Sequence, residues 1–474
     1  MYLPSEDGLS MRLKGAQKDE GRMSRSIVKE KAFYKHILGL SIPLILQMLL
    51  SISVDTISAL LLGNLSQAGM TAVTQANQVS WIIKVIVCGF AGGTSLLTSQ
   101  YWGLKQKDPI KTILAISLRF MGAFCIATTL IVMTFSSDIM RIYSSDQEII
   151  TIGSAYLRTV ALSYLPVGIV YTAYAALRGV EKVRVILINN IITYSINIIL
   201  DYGMITGKLG MPALGTTGIA VGQIISRTLE VIIILVYIIK VDTNIGFKLK
   251  NLLNKDKQLT KDYIGASLPI VGHEIIWSIG TSSGNMIAGQ LGKDVVAGYD
   301  VMQVYYNIVA AFGEGFLYAC SIVIGVSIGE NKKDRIKTEA RSLALIGLVF
   351  GIAAGLISFL VKDSFVGLYA LTEEADYYAK QFLTIIAISC PFSYMEMTCM
   401  IGILRAGGDG KTGFISDIFI MWLICIPAAL VTAFALKADP VLVVAIIKFT
   451  IVLEGIVGTV RVLSMKWIHN LTRS

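Results

Sequence analysis

The sequence predicts an all-α membrane protein of twelve transmembrane helices, built as two parallel six-helix repeats. Three observations predict it. The first is an internal duplication: residues 41–112 and 267–338 align without a gap at a constant offset of 226. Ser41/Ser267, Pro43/Pro269, Gly63/Gly289, Leu65/Leu291, Gly89/Gly315, Phe90/Phe316, Ser95/Ser321, Gly103/Gly329, Lys107/Lys333, Asp108/Asp334, Lys111/Lys337 and Thr112/Thr338 coincide. Duplicated apolar bundles are a hallmark of transporters, because two similar halves can open a central site to either side in turn. The second is composition: mean hydropathy is +0.68, 54% of residues are hydrophobic and 15% are charged, against roughly 25% charged in soluble domains. The third is a one-sided distribution of Lys and Arg among the loops.

A membrane-crossing helix needs about 20 mostly apolar residues. Twelve stretches meet this: 36–62, 72–101, 110–135, 149–176, 185–206, 217–239, 263–289, 298–328, 339–361, 376–404, 412–436 and 441–464. Those longer than a straight crossing requires must tilt, kink or extend past the membrane surface. Counting basic residues at span edges with the adjoining loops, 30 of the 41 Lys and Arg fall on one side with both termini. The other side holds Arg141, Lys208, Lys293, Lys362 and Lys437. By the positive-inside rule the first side is cytoplasmic, placing a multi-pass protein in the cell membrane with both termini inside. The net charge of +9 then reads as a surface facing anionic lipid, with no nucleic-acid partner required.

Residues 1–35 are polar and charged, without the apolar core of a signal peptide, and are expected to form a cytoplasmic tail. The first lobe is expected over 36–240 and a lysine-rich cytoplasmic linker over 241–262. The second lobe follows over 263–464 and a short tail over 465–474. Six spans per half is an even number, so both halves enter the membrane in the same direction, and the site is expected between them near the midplane. Cys88, Cys125, Cys320, Cys390, Cys399 and Cys425 lie in apolar spans without a CxxC pair and read as small core residues. Pro43 and Pro269 match between the halves, and Pro166 approximately matches Pro391; each removes a backbone donor and marks a place for bending.

An energy source leaves a trace in sequence. Gly410-Lys411-Thr412 resembles the end of a phosphate-binding loop, but Arg405 stands where its first glycine belongs and two membrane helices flank it. Coupling to an ion gradient is the alternative, and it needs ionisable groups within the membrane, where they are costly. The acids are Asp55, Asp201, Glu230, Glu274, Asp300, Glu314, Glu396, Asp417 and Glu454. Glu230 is expected to pair with Arg227, and Glu454 with Lys448 or Arg461. Asp417 is expected near a cytoplasmic helix end, and Lys84, Arg119 and Arg158 are available to neutralise others. Asp55 sits mid-span, too deep to snorkel. Asp201 follows Asn197 by four residues, so the two share a helix face. An amide beside a carboxyl suits Na⁺ and equally supports a protonated acid. Tyr194, Tyr202 and Thr217 are further oxygen donors in reach.

At this point the motifs resemble a known family. The run NIILDYGMITGKLGMPALGTTGIAVGQIISR (197–227) is similar to the fifth-to-sixth-helix signature of the bacterial MATE family, the multidrug and toxic-compound extrusion transporters. VDTISALLLGNL (54–65), GTSLLTSQYWGLKQKD (93–108) and LPIVGHEIIWSIGTS (268–282) resemble its first, second and seventh helices. LRGVEK (177–182) and LRAGGDGKTG (404–413) resemble the loops after the fourth and tenth helices. The likeness spans residues 36–464.

The resemblance implies two six-helix lobes forming a V, and export driven by Na⁺ or H⁺ with no cofactor. It implies ion-site residues on the first and fifth helices. The fifth-helix pair carries over to Asn197 and Asp201. Counted without gaps from Pro43, the first-helix aspartate position is Ser58, and Asp55 lies three residues earlier. The glutamate that one branch carries eight residues past the seventh-helix proline is Trp277 here, with Glu274 one turn away.

Three function classes compete. The first is an ion-coupled exporter of organic cations or amphiphilic drugs, expected to act as a monomer. The second is a lipid-linked precursor flippase of the wider superfamily, disfavoured by buried charges that lean acidic. The third is a membrane-embedded enzyme, for which His36, His273 and His469 provide no metal motif. Gln47, Trp81, Tyr171, Glu274, Trp277, Tyr305 and Tyr306 are the candidates for lining the substrate cavity, since polyspecific sites are mostly apolar and aromatic with few polar contacts.

Overall fold

The structure, a computed structural model, describes residues 27–63 and 66–473. Most of the predicted tail 1–35, and the repeat's Leu65, lie outside them. Each of the twelve apolar stretches falls on a helical element. The first half comprises α1 (Lys31–Gly63), α2 (Gln67–Gly103), α3 (Lys107–Tyr143), α4 (Gln147–Ala161), α5 (Tyr164–Gly179), α6 (Val183–Thr206) and α7 (Thr216–Val236). The second comprises α8 (Lys257–Gly289), α9 (Lys293–Gly329), α10 (Lys333–Val366), α11 (Glu373–Leu404), α12 (Gly410–Ala435) and α13 (Pro440–Leu463). Among the described residues no strand occurs.

Nine of these helices are long and apolar enough to cross a bilayer alone, and α4 with α5 forms a tenth crossing bent by 46°. The bend falls at Leu162–Ser163, just before Pro166, whose missing N–H leaves the ladder incomplete there. The remaining two apolar stretches lie on α7 and α8. Side-chain caps begin the fourth crossing of each half at matching positions: Asp146 accepts from the Glu148 N–H at 2.8 Å and Thr372 from the Ala375 N–H at 3.2 Å. Such caps satisfy the first backbone donors, which lack intrahelical partners.

The halves meet through α1 and α2 of the first and α8 and α9 of the second: α1 packs on α9, α2 on α8, and α2 on α9. The duplication is visible in these contacts. Gly89 of α2 lies against the backbone of Val271, and its equivalent Gly315 lies against that of Ile45. Gly103 and Gly329 meet at the loop-side ends of α2 and α9. A Cβ on Gly103 would stand 2.1 Å from the Val326 carbonyl oxygen, and one on Gly329 1.9 Å from that of Gln100. The lobes are therefore closed at the end that carries the α2–α3 and α9–α10 loops.

Two segments differ from the expectation of plain polar connectors. α8 begins at Lys257, inside the predicted linker 241–262, and Ile245 and Phe247 of that linker are buried against the first lobe. Residues 465–473 dock rather than trail. Trp467 is fully buried, and the Leu471 N–H donates to Gln100 Oε1 at 2.8 Å. Arg473 forms two 2.9 Å hydrogen bonds with Asp262. Apolar residues within these nominal tails outweighed their polar neighbours. All six cysteines are free, and all but half-buried Cys88 are buried.

Candidate functional site

The first lobe encloses a cavity of about 280 Å³. Asp55 and Ser58 of α1, Asn77, Trp81 and Lys84 of α2, Tyr171 of α5 and Arg227 of α7 line it. Behind its wall sits Asp201 of α6, with no exposed surface. Ser58 Oγ donates to Asp201 Oδ2 at 2.6 Å, and Asn197 Nδ2 donates to Oδ1 at 3.1 Å. Gly222 of α7 makes the approach possible, since a Cβ there would stand 2.5 Å from Asp201 Oδ1. Both donors are neutral, so this carboxyl is solvated by dipoles while its charge is left available to a proton or a cation.

The structure thus brings Ser58, Asn197 and Asp201 together. Asp55 is exposed to the cavity one helical turn from Ser58 and makes no hydrogen bond to Asp201. Tyr194 and Tyr202 are engaged by cations, with Arg227 lying 5.2 Å from one ring centroid and Lys208 5.7 Å from the other. The expected Arg227–Glu230 pair is present at 2.7 Å. Its carboxylate also accepts from Tyr174 OH at 2.6 Å and Asn190 Nδ2 at 2.9 Å. That network was not foreseen, because α5, α6 and α7 meet only in the folded lobe.

The cavity candidates divide. Trp81 and Tyr171 line the first-lobe cavity, and Trp81 Nε1 reaches across to Ser278 Oγ of α8 at 3.2 Å. Gln47 is buried in α1 outside this lining. Glu274 is held by Arg405 at 2.8 Å. Arg405, 131 residues away in sequence, continues the helical turn after Leu404. Trp277 is half-buried on the same helix. Tyr305 belongs to the packed core instead, edge-on to Phe365 with centroids 4.9 Å apart. Tyr306 lies under the Lys448 ammonium, 4.7 Å from its ring centroid.

Other charge expectations are corrected. Lys448 donates to Gln303 Oε1 at 3.2 Å and Arg461 to Asp409 Oδ2 at 2.8 Å, so neither pairs with Glu454. Asp417 is buried beside His273 near the start of α12. Arg119 and Arg158 are taken by Asn254 O and Ser136 Oγ. Lys84, legible in the sequence as a lone base in an apolar span, is a cavity residue 5.8 Å from the Trp81 ring centroid. The cavity therefore carries both signs of charge. Asp409 also takes the Thr412 hydroxyl at 2.9 Å, in the stretch that resembled a phosphate loop. Among the described residues no group of three or more His, Cys, Asp or Glu is placed to hold a metal ion.

Comparison with known proteins agrees with this architecture. A family model described as MatE matches residues 43–203 and again 269–431. The two matches begin at Pro43 and Pro269, the paired prolines of the duplication. The chain is 24% identical over 400 residues to a probable multidrug resistance protein NorM of Thermotoga maritima, covering 84% of this chain and 85% of that one. It is 23% identical over 373 residues to the probable multidrug resistance protein YoeA of Bacillus subtilis, covering 78% and 80%. Among solved structures, a MATE crystal structure in the straight conformation aligns with a TM-score of 0.83 at 18% identity, covering 92% of this chain and 97% of that one.

Proposed function

The chain belongs to the MatE family of membrane transporters, and from that premise we propose that it exports organic cations or amphiphilic drugs in exchange for H⁺ or Na⁺, with Asp201 as the ion-responsive group. The observation that carries the reading is the fully buried Asp201 carboxyl, held only by the neutral donors Ser58 and Asn197 beside a cavity containing Asp55. Its charge can be cancelled by a proton or by Na⁺, and either changes the cost of burying the site. An ion drives transport only if it binds one conformation more tightly than the other. Asp55, which reaches the cavity surface, offers an incoming cation its first carboxylate, while Trp81 and Tyr171 provide aromatic faces for it. The names of the relatives, multidrug resistance proteins, point to the same substrate class.

The test is transport by the purified monomer in lipid vesicles with Na⁺ and H⁺ gradients imposed separately. One gradient is expected to drive export of a lipophilic cation such as ethidium and the other to have little effect. Lys84 and Arg227 in the same cavity leave a defined alternative. If a broad cation panel is untouched by either gradient while labelled lipid-linked pyrophosphates cross the bilayer, the protein is a flippase of the wider superfamily.

The orientation completes the proposal. The basic loops face the cytoplasm, together with both termini and the closed end of the lobes, and the cavity faces outward in this state. Single cysteines in 205–216 and 434–440 are expected to react with an impermeant reagent added to intact cells, and cysteines in 244–258 to be protected. Reaction of 244–258 from outside would reverse the assignment.

A further inference from the structure

We infer that residues 465–473 act as a latch on the closed end of the two lobes, with Gln100 of α2 as the hook they hold, and that the latch must let go before this end can open. Gln100 is fully buried. Both ends of its side-chain amide are taken by groups from the far part of the chain. Its Nε2 donates to Ala406 O at 3.1 Å and to His469 O at 3.3 Å, and its Oε1 accepts from the Leu471 N–H at 2.8 Å. Beside it, Tyr101 OH accepts from the Arg473 N–H at 3.3 Å, while the Arg473 guanidinium holds Asp262 of α8. The root of the segment is anchored in the second half. Trp467 lies over Gly407, where a Cβ would stand 2.2 Å from its ring, and the His469 N–H donates to Gly407 O at 2.9 Å. The far end rests on the first half: Leu471 packs against the cluster that contains Leu97 of α2 and Leu177 of α5.

The segment crosses the seam where the lobes are tightest. Gln100 lies just under one turn before Gly103, whose meeting with Gly329 closes this end. Its neighbour Ser99 faces Gly325 of α9 across the same seam, where a Cβ on the glycine would stand 2.0 Å from Ser99 Oγ. Moving α2 away from α9 therefore separates Gln100 from Ala406 and pulls it from His469 and Leu471, which stay rooted at Gly407. These bonds exist only while the end is closed, so their free energy favours the closed state over the open one. A partial opening would strand a buried amide and buried carbonyls without partners, which is costly. Release of the whole segment admits water to all of them at once. The device is one-sided. Under the 226-residue offset Gln100 corresponds to Val326 and Tyr101 to Ser327, so the second lobe has no matching hook.

The test reads the seam itself and uses no transport, so it stands or falls independently of the proposed substrate and driving ion. Ser99→Cys places a thiol at the seam of the full chain. Ser99 is 1% exposed, so N-ethylmaleimide reaches that position only when α2 and α9 part. The purified protein is labelled over time, digested and mapped by mass spectrometry. Two latch variants are compared with this parent. Gln100→Leu removes the hook. Leu471→Pro/Arg473→Ala removes the N–H that Gln100 accepts and the guanidinium that holds Asp262, and it leaves both lobes unaltered. Cys125, buried in the core of the first lobe, reports general loosening. Both variants are expected to label position 99 several-fold faster than the parent, with the rate at Cys125 unchanged. An unchanged rate at position 99 in either variant overturns the latch. Equal acceleration at position 99 and Cys125 overturns it as well, because the segment would then support the packing of the whole protein and not the seam. The second variant changes only residues at the partly exposed end of the segment, so it decides the point even if Gln100→Leu does not fold.

Discussion

Asp201→Asn is expected to reduce gradient-driven export by more than about tenfold, a coupling loss of at least ~1.4 kcal/mol, while leaving the protein folded and able to bind substrate. The substitution keeps the size of the side chain. Asn197 Nδ2 continues to donate to the carbonyl oxygen that replaces Oδ1. Ser58, which donates to Oδ2 at 2.6 Å, can rotate its hydroxyl and accept from the new amide. What disappears is the charge that a proton or Na⁺ cancels. The rival view is that Asp201 only ties α1 to α6. Under it the variant, whose hydrogen bonds are preserved, would pump at the wild-type rate in vesicles with an imposed gradient, and the coupling role would have to be abandoned.

The second large effect is on stability. Arg227→Met removes the 2.7 Å donor to Glu230 and leaves a carboxylate 1% exposed inside the first lobe with only Tyr174 and Asn190 beside it. Breaking one side of a buried pair costs about 3–5 kcal/mol, so the thermal midpoint of the detergent-solubilised protein should fall sharply. Adding Glu230→Gln to Arg227→Met removes the stranded charge and should recover most of the loss, because Tyr174 and Asn190 can still donate to the amide oxygen. The double-mutant cycle measures this directly. A single variant as stable as the wild type would mean that water or lipid headgroups already solvate Glu230.

Part of the site is written locally. Asn197 and Asp201 lie four residues apart, so any helix through them puts both on one face, and Arg227 with Glu230 is the same kind of pair. Ser58 was reached only by counting along a resembling motif, and its hydrogen bond to Asp201 spans 143 residues. The Arg405–Glu274 pair and the Tyr174–Asn190–Glu230 network have no local signature. Tyr305 reads like a cavity aromatic in sequence and is a core residue in the fold, because period and composition do not say whether a helix face meets lipid, cavity or a neighbouring helix.

The amino-acid sequence by itself determined the number of crossings, the duplication and the segregation of positive charge. Each depends on local transfer free energy or on residue identity at a fixed offset, and neither requires knowing which helices touch. Tertiary structure alone decided which buried acids have partners. Asp201 meets Ser58 and Asn197, Glu274 meets Arg405, and Asp417 meets His273. The physical reason is that a charge inside a membrane protein is neutralised by whatever group packing brings within a few ångströms, and those groups come from helices far apart in the chain.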